Sequence, residues 1–195
     1  MADLETAEQL TARFDDRAAT YDESATHRLI ADATAEFVDV SGVTDVLDAG
    51  TGTGLVLRAL APRLGASARL VGVDLSPRMV EVAQAALPNG DFMAGNASNL
   101  AFDDSSFDLI TCATALHLMP DTNAVLREWK RVLRPTGRIV IATFTSVRGW
   151  GQLVVPVDEA PAAGLRVLRS IDWASPVDSG FPDIVIVELS AQAID

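Results

Sequence analysis

The chain has 195 residues, 49% of them hydrophobic, enough to fill one sizeable core and to suggest one domain. Its 15 basic residues against 27 acidic ones leave a net charge of −12, so nothing in the charge balance would draw a nucleic-acid backbone to it. One cysteine, Cys112, rules out an internal disulfide, and with only two histidines beside it the chain has a poor ligand set for structural zinc. The first residues carry no basic leader and no apolar run reaches the length of a membrane span; the expected place is the cytoplasm.

Leu10, Phe14, Ala18 and Tyr21 fall at helical spacing and predict one face of a helix in an N-terminal arm, residues 1–40, that lies on the domain as a lid. Residues 46–48 form a short strand that runs into a glycine-rich turn, and the helix over 55–64 follows with Leu55, Leu57, Leu60 and Leu64 as its stripe. A second unit repeats this order: a strand over 69–73, then a helix over 77–87 with Pro77 in its first turn. Further strands are expected over 91–94, 107–111 and 138–144. Before the last of these, Asp121 caps a helix with Val125, Leu126, Trp129 and Val132 facing inward, and Pro135 and Gly137 stop it. Beyond it the pattern gives a helix over 158–171 and a late strand over 184–189. Strands alternating with helices predict parallel pairing through crossovers.

The densest chemical signal is Val46-Leu47-Asp48-Ala49-Gly50-Thr51-Gly52-Thr53-Gly54. Ligands of open α/β sheets bind at the carboxyl ends of the strands, and glycines there let the backbone take positive φ and approach a ligand closely. The spacing Gly50-x-Gly52-x-Gly54 differs from the G-x-G-x-x-G of dinucleotide binders, and Asp48 would repel a pyrophosphate. The same carboxylate would attract an ammonium or sulfonium. Asp74, 24 positions after Gly50, ends the second strand, where a carboxylate accepts both hydroxyls of a ribose, so the ligand contains a nucleoside. Asn96 and Ala97 follow the third strand, where they would read an adenine edge, with Leu75 over the ring.

These residues make the chain resemble the class I S-adenosylmethionine-dependent methyltransferases, in the type 11 branch that includes the ubiquinone/menaquinone and biotin-pathway enzymes. The likeness spans residues 10–145 and rests on Phe14-x-x-x-Ala18-x-x-Tyr21-Asp22, the glycine turn, Val71-Gly72-Val73-Asp74-Leu75-Ser76, Gly95-Asn96-Ala97, Phe107-Asp108-Leu109-Ile110, Ala115-Leu116-His117 and Leu133-Arg134-Pro135-x-Gly137. It implies an α/β fold, a Rossmann-like, doubly wound, mostly parallel sheet in a three-layer αβα sandwich, in which residues 41–195 bind S-adenosylmethionine. By the same resemblance Asp48, Gly50, Thr51, Gly52 and Gly54 flank the methionine moiety, Asp74 takes the ribose, Asn96 and Ala97 the adenine, and Tyr21 closes the site from the arm, with Leu75, Met79 and Cys112 in the cofactor-binding set. Asn96 stands where the family more often has Asp. The family usually ends in a sixth strand and an antiparallel seventh, whereas here one late strand is obvious; either a strand is missing, leaving a truncated hairpin, or the helical reading of the tail is at fault.

The implied reaction is in-line methyl transfer to a small-molecule acceptor, giving S-adenosylhomocysteine, by a monomer or homodimer without metal, nucleic acid or membrane span. His117 is the candidate general base, because it follows the stretch over 111–116 that should face the transferred methyl; the alternative is local packing. His27 would either project from the arm toward the acceptor or, the favoured reading, be a solvated helix residue; Cys112 in isolation reads as a small buried apolar one, and Asn96 and Tyr21 each also as turn or packing residues. Trp150, Trp173 and Phe181 would line an aromatic acceptor pocket or serve as core. Two rival readings are a nicotinamide-dependent oxidoreductase, opposed by Asp48, and a cofactor-binding module without transfer.

Overall fold

The computed structural model describes residues 5–147, 151–152, 156–174 and 183–191. Seven strands form one sheet: β1 (Asp45–Ala49), β2 (Arg69–Asp74), β3 (Asp91–Ala94), β4 (Phe107–Ala113), β5 (Leu133–Phe144), β6 (Arg166–Trp173) and β7 (Ile184–Ser190). Their spatial order is β3-β2-β1-β4-β5-β7-β6. The first five run parallel; β7 is antiparallel to β5, and β6 antiparallel to β7. The order reverses between β1 and β4, which opens a crevice at their carboxyl ends. A short ribbon pairs Ser146–Val147 with Gly151–Gln152.

Each central strand divides its side chains between two apolar layers, because successive residues point to opposite faces. Leu47, Val71, Ile110 and Ile139 pack under α5 (Thr122–Val132), whose Val125, Leu126, Trp129 and Val132 are buried. Val46, Leu70, Leu109 and Val140 pack on the other face against α2 (Ala25–Phe37) and α3 (Leu55–Leu60). Burial on both faces explains why these strands read as unbroken apolar runs. Helix α4 (Pro77–Ala86) covers β2 and β3, and α1 (Ala7–Arg17), closed by a capping box between Thr6 and Gln9, lies against α4. Among the described residues no helix is long and apolar enough to cross a membrane.

The expected α/β architecture is present, with four differences in its elements. Helix α1 stops at Arg17, so Tyr21 begins a separate 3-10 turn, Tyr21–Glu23, while Leu10 and Ala18 remain buried. Helix α3 gives way at Ala61 to a 3-10 turn, since Pro62 has no N–H to continue the ladder. Strand β5 starts at Leu133 because residues 134–137 bulge out between the pairs Phe107–Leu133 and Leu109–Arg138. The helix expected over 158–171 is replaced by one turn, Pro156–Glu159, a 3-10 turn, Ala160–Ala163, and the strand β6. Pro161 and the left-handed Gly164 end the helical path, and β7 offers a paired edge to the residues that follow. The antiparallel hairpin is therefore complete, and most of the segment expected as a helix forms its outer strand.

Candidate functional site

The glycine turn leaves β1 at Ala49 and is clamped by the end of β2. Gly50 and Thr51 both donate their N–H to the Val73 carbonyl, at 2.8 and 3.0 Å, and Gly52 donates to Asp74 Oδ2 at 2.8 Å. Gly50 has φ +74°, and a Cβ there would lie 2.5 Å from the Ala115 Cβ. Gly52 has φ +54°, and a Cβ on it would meet nothing within 4 Å, so its bare side faces open space.

Two adjoining cavities meet at this turn. The first, about 650 Å³ with its open mouth, is bounded by Asp74, Leu75, Met79, Asn96 and Ala97 on the sheet side, by Leu10, Phe14 and Tyr21 from the arm, and by Ala113, Thr114, Ala115, Leu118 and Met119 after β4. The second, about 380 Å³, is lined by Asp48, Thr51, Thr53, Leu55 and Val56 with His27, Ile30 and Ala31 of α2. Tyr21, Gly50, Gly52, Ala113 and Thr114 belong to both.

Electrostatically the floor is acidic. Asp48 is 1% exposed and accepts the Thr111 hydroxyl at 2.6 Å; burial pushes its pKa up to about 6 against the pull of the Thr111 and Thr51 hydroxyls. At neutral pH it is mainly a carboxylate with little solvation, a strong site for a cation. Asp74 is also raised by burial, although Ser76 and Gly52 donate N–H groups to it. Each of its oxygens accepts one of these bonds, and a carboxylate has about four lone-pair sites, so capacity remains for two hydroxyls. Above the floor the Tyr21 ring stacks on His27 at 4.3 Å and 5°, and Tyr21 and Thr114 both line the place where the cavities join.

Two carboxylates tie the arm down. Asp15 accepts the Ser76 hydroxyl at 2.5 Å and the Arg78 N–H at 3.2 Å, where the N-terminus of α4 favours negative charge. Asp22 accepts the Thr53 hydroxyl at 2.5 Å and pairs with Arg58 at 2.5 Å. The buried Trp129 donates its indole N–H to the Ala97 carbonyl at 2.8 Å and so fixes one wall of the first cavity.

Of the residues singled out from sequence, Tyr21, Asp48, Gly50, Thr51, Gly52, Asp74, Leu75, Met79, Asn96 and Ala97 come together at the two cavities. Asn96 lines the first and also closes a local turn, its Oδ1 accepting the Ser98 N–H at 2.9 Å. Gly54 lies outside, as the N-cap of α3 packed near Ala83 and Phe92. Cys112 is fully buried in the core and lines neither cavity; burial drives its thiol up, which keeps it protonated. His117 also lines neither. Its ring meets Phe144 edge-on at 5.2 Å, and burial with the Arg13 charge pulls its pKa down to about 4.

His27 differs from the solvated residue expected: it lines the second cavity beneath Tyr21, and burial, reinforced by Arg17, lowers its pKa. Trp173 packs against the core and not in either cavity, while Trp150 and Phe181 lie outside the described residues. Thr114 belongs to the stretch over 111–116 expected to face the methyl and does line both cavities, whereas Leu118, Met119 and the ties made by Asp15 and Asp22 are not among the expected site residues. The signal for Leu118 and Met119 is their place after β4, at the strand-order reversal; Asp15 and Asp22 carry none, since an acid on an arm looks like surface.

Comparison with known proteins agrees with this geometry. A family model described as a methyltransferase domain matches residues 47–141. The demethylmenaquinone methyltransferase of Thermotoga maritima is 46% identical over 99 residues, 49% of this chain and 42% of that protein. That of Paenarthrobacter aurescens is 34% identical over 187 residues, 84% of this chain and 70% of that protein. The chain spans about half the length of several of the curated relatives it matches. The Burkholderia thailandensis 1,6-didemethyltoxoflavin-N1-methyltransferase, solved with 1,6-didemethyltoxoflavin and S-adenosylhomocysteine, superposes with a TM-score of 0.73 at 22% identity, over 95% of this chain and 87% of its own, and shares the fold. The chain belongs to the class I S-adenosylmethionine-dependent methyltransferase family, in the ubiquinone/menaquinone type.

Proposed function

We propose that the protein binds S-adenosylmethionine across the two joined cavities and methylates a small organic acceptor, leaving S-adenosylhomocysteine. The observation that carries this reading is the pair of acids: Asp48, desolvated beneath the glycine turn, and Asp74, with spare lone pairs at the end of β2. One suits a cation and the other a diol, and the bare side of Gly52 leaves room between them. The residues present therefore fit the donor.

In this reading Asp48 holds the amino group, Asp74 the ribose hydroxyls, and Leu75, Asn96 and Ala97 the adenine, with Met79 beneath the ring. When bound, the donor supplies a methyl group on positively charged sulfur, so no protein nucleophile is needed. Tyr21 covers the centre from the arm, and the apolar Leu10, Phe14, Leu118 and Met119 exclude water. His117, outside both cavities, is given no proton-transfer step. The buried lone thiol suits the reducing cytoplasm, and the protein acts there as a monomer or homodimer. Separate calorimetric titrations with S-adenosylhomocysteine and NADH test the reading. Binding of the first is expected; binding of NADH alone would reverse it.

A further inference from the structure

The sheet has two open edges, and they differ. The β3 edge is four residues long and begins with Asp91, a short charged edge of the kind that resists pairing. The β6 edge runs eight residues, Arg166–Trp173, and residues 168–172 are exposed in an unbroken row. Two of the three large apolar side chains exposed among the described residues, Leu168 at 41% and Ile171 at 44%, stand on it. Beyond the ladder with β7, no backbone hydrogen bond among the described residues reaches this strand, so its outward N–H and C=O groups are open to another strand.

The devices that blunt an edge are spent elsewhere on β6. The bulge between Val167 and Arg169 sits at its start and leaves Arg169–Trp173 in regular register with β7. The Arg169 guanidinium is drawn inward: it pairs with the buried Glu188, donates to the Phe37 carbonyl at 2.5 Å and lies over the Phe37 ring at 4.0 Å. Its side chain is still 47% exposed, which leaves room for a second aromatic ring. Residues 160–174 hold Asp172 as their one acid beside Arg166 and Arg169, a positive stretch in a chain of net charge −12. Copies of so acidic a chain repel one another over most of their surface, and here they do not.

A strand that meets its own copy across a twofold axis pairs antiparallel, and side chains directly opposite share a face, so the axis passes through one residue. Charge decides which. An axis at Arg169 sets a guanidinium against its copy, and an axis at Asp172 a carboxylate against its copy. An axis at Ser170 puts Asp172 opposite the apolar Leu168, and an axis at Trp173 leaves most of the exposed row unpaired. An axis at Ile171, the midpoint of the regular stretch, puts Ile171 against its apolar copy, Ser170 opposite the partner's Asp172 and Arg169 opposite the partner's Trp173. Each Ser170 hydroxyl then faces a carboxylate acceptor and each guanidinium an indole ring, and no like charges meet.

We propose that β6 is a dimer interface: a second copy of this chain pairs antiparallel with it about a twofold axis at Ile171, joining the two sheets into one continuous sheet. Of the monomer and the homodimer named above, this selects the homodimer. The edge lines neither cavity, so the inference stands apart from the methyl-transfer reading.

The test is sedimentation equilibrium of the full chain, with folding verified by circular dichroism. Wild type is expected at twice the chain mass of 20.6 kDa. Ile171→Lys sets two ammonium groups against each other at the axis and should weaken the dimer by about tenfold or more while keeping the wild-type spectrum. Cysteine variants read the register. Ile171→Cys should form an intermolecular disulfide on mild oxidation, because directly opposite Cα atoms lie about 4.5–5.5 Å apart, within reach of the bond. Leu168→Cys should not, since its two copies would sit roughly 20 Å apart along the strands. Wild type, whose single cysteine Cys112 is buried, should not cross-link either. A chain monomeric at every attainable concentration, a dimer untouched by Ile171→Lys, or cross-linking at Leu168 no slower than at Ile171 overturns the inference.

Discussion

Asp74 Oδ2 accepts the Gly52 N–H at 2.8 Å, so the carboxylate at the end of β2 also shapes the turn after β1. Asp74→Ala then removes two things at once, the proposed ribose partner and a turn clamp. The expected loss in S-adenosylhomocysteine affinity is about 1–3 kcal/mol by calorimetry. An affinity equal to wild type would remove Asp74 from the site.

Asp48 sets stability against function. Its pKa in the fold, about 6, is above the ordinary 3.8, so the folded state binds the proton more tightly than the unfolded chain. The stability this confers is complete below about pH 4 and is lost as pH rises through about 6, amounting to about 3 kcal/mol for the unliganded protein. Asp48→Asn should therefore melt at a higher temperature than wild type at pH 7.5, with little difference at pH 4, while losing cofactor affinity. In wild type, cofactor affinity should fall below about pH 6, as the carboxylate the ammonium needs becomes protonated. Paired melts and titrations at both pH values check this.

Gly50 and Gly52 separate packing from binding. Alanine at Gly50 meets Ala115 at 2.5 Å and must shift it, so Gly50→Ala should lower the melting temperature markedly. Alanine at Gly52 meets no protein atom within 4 Å and suffers only the positive-φ penalty, about 1 kcal/mol. It should keep the circular dichroism spectrum of wild type and lose most cofactor affinity, because the added carbon occupies the cleft.

His117 packs on Phe144 outside both cavities. His117→Ala should cost about 1 kcal/mol of stability and leave S-adenosylhomocysteine affinity intact. Denaturant unfolding and calorimetry measure the two. A slowed single-turnover methyl transfer in this variant would restore it as the base.

The parallel half of the fold was legible because its strands are buried on both faces and bounded by glycine and proline, as Gly50 to Gly54 and Pro77 show. The tail was not. Strand β6 is an edge strand that leaves Leu168 and Ile171 exposed, and only its pairing with the fully buried β7 makes it a strand. In the site, Asp48, Gly52 and Asp74 were readable from spacing along the chain. The His27 stack and the Asp15 and Asp22 ties were not, because each exists only when distant segments meet.

The most direct measurement is a crystal structure with S-adenosylhomocysteine. Its amino group is expected at Asp48, both ribose hydroxyls on Asp74, its adenine against Leu75, Asn96 and Ala97, and its sulfur beside Tyr21 and Thr114. Ligand density elsewhere, or a pyrophosphate in the turn in its place, would contradict this placement.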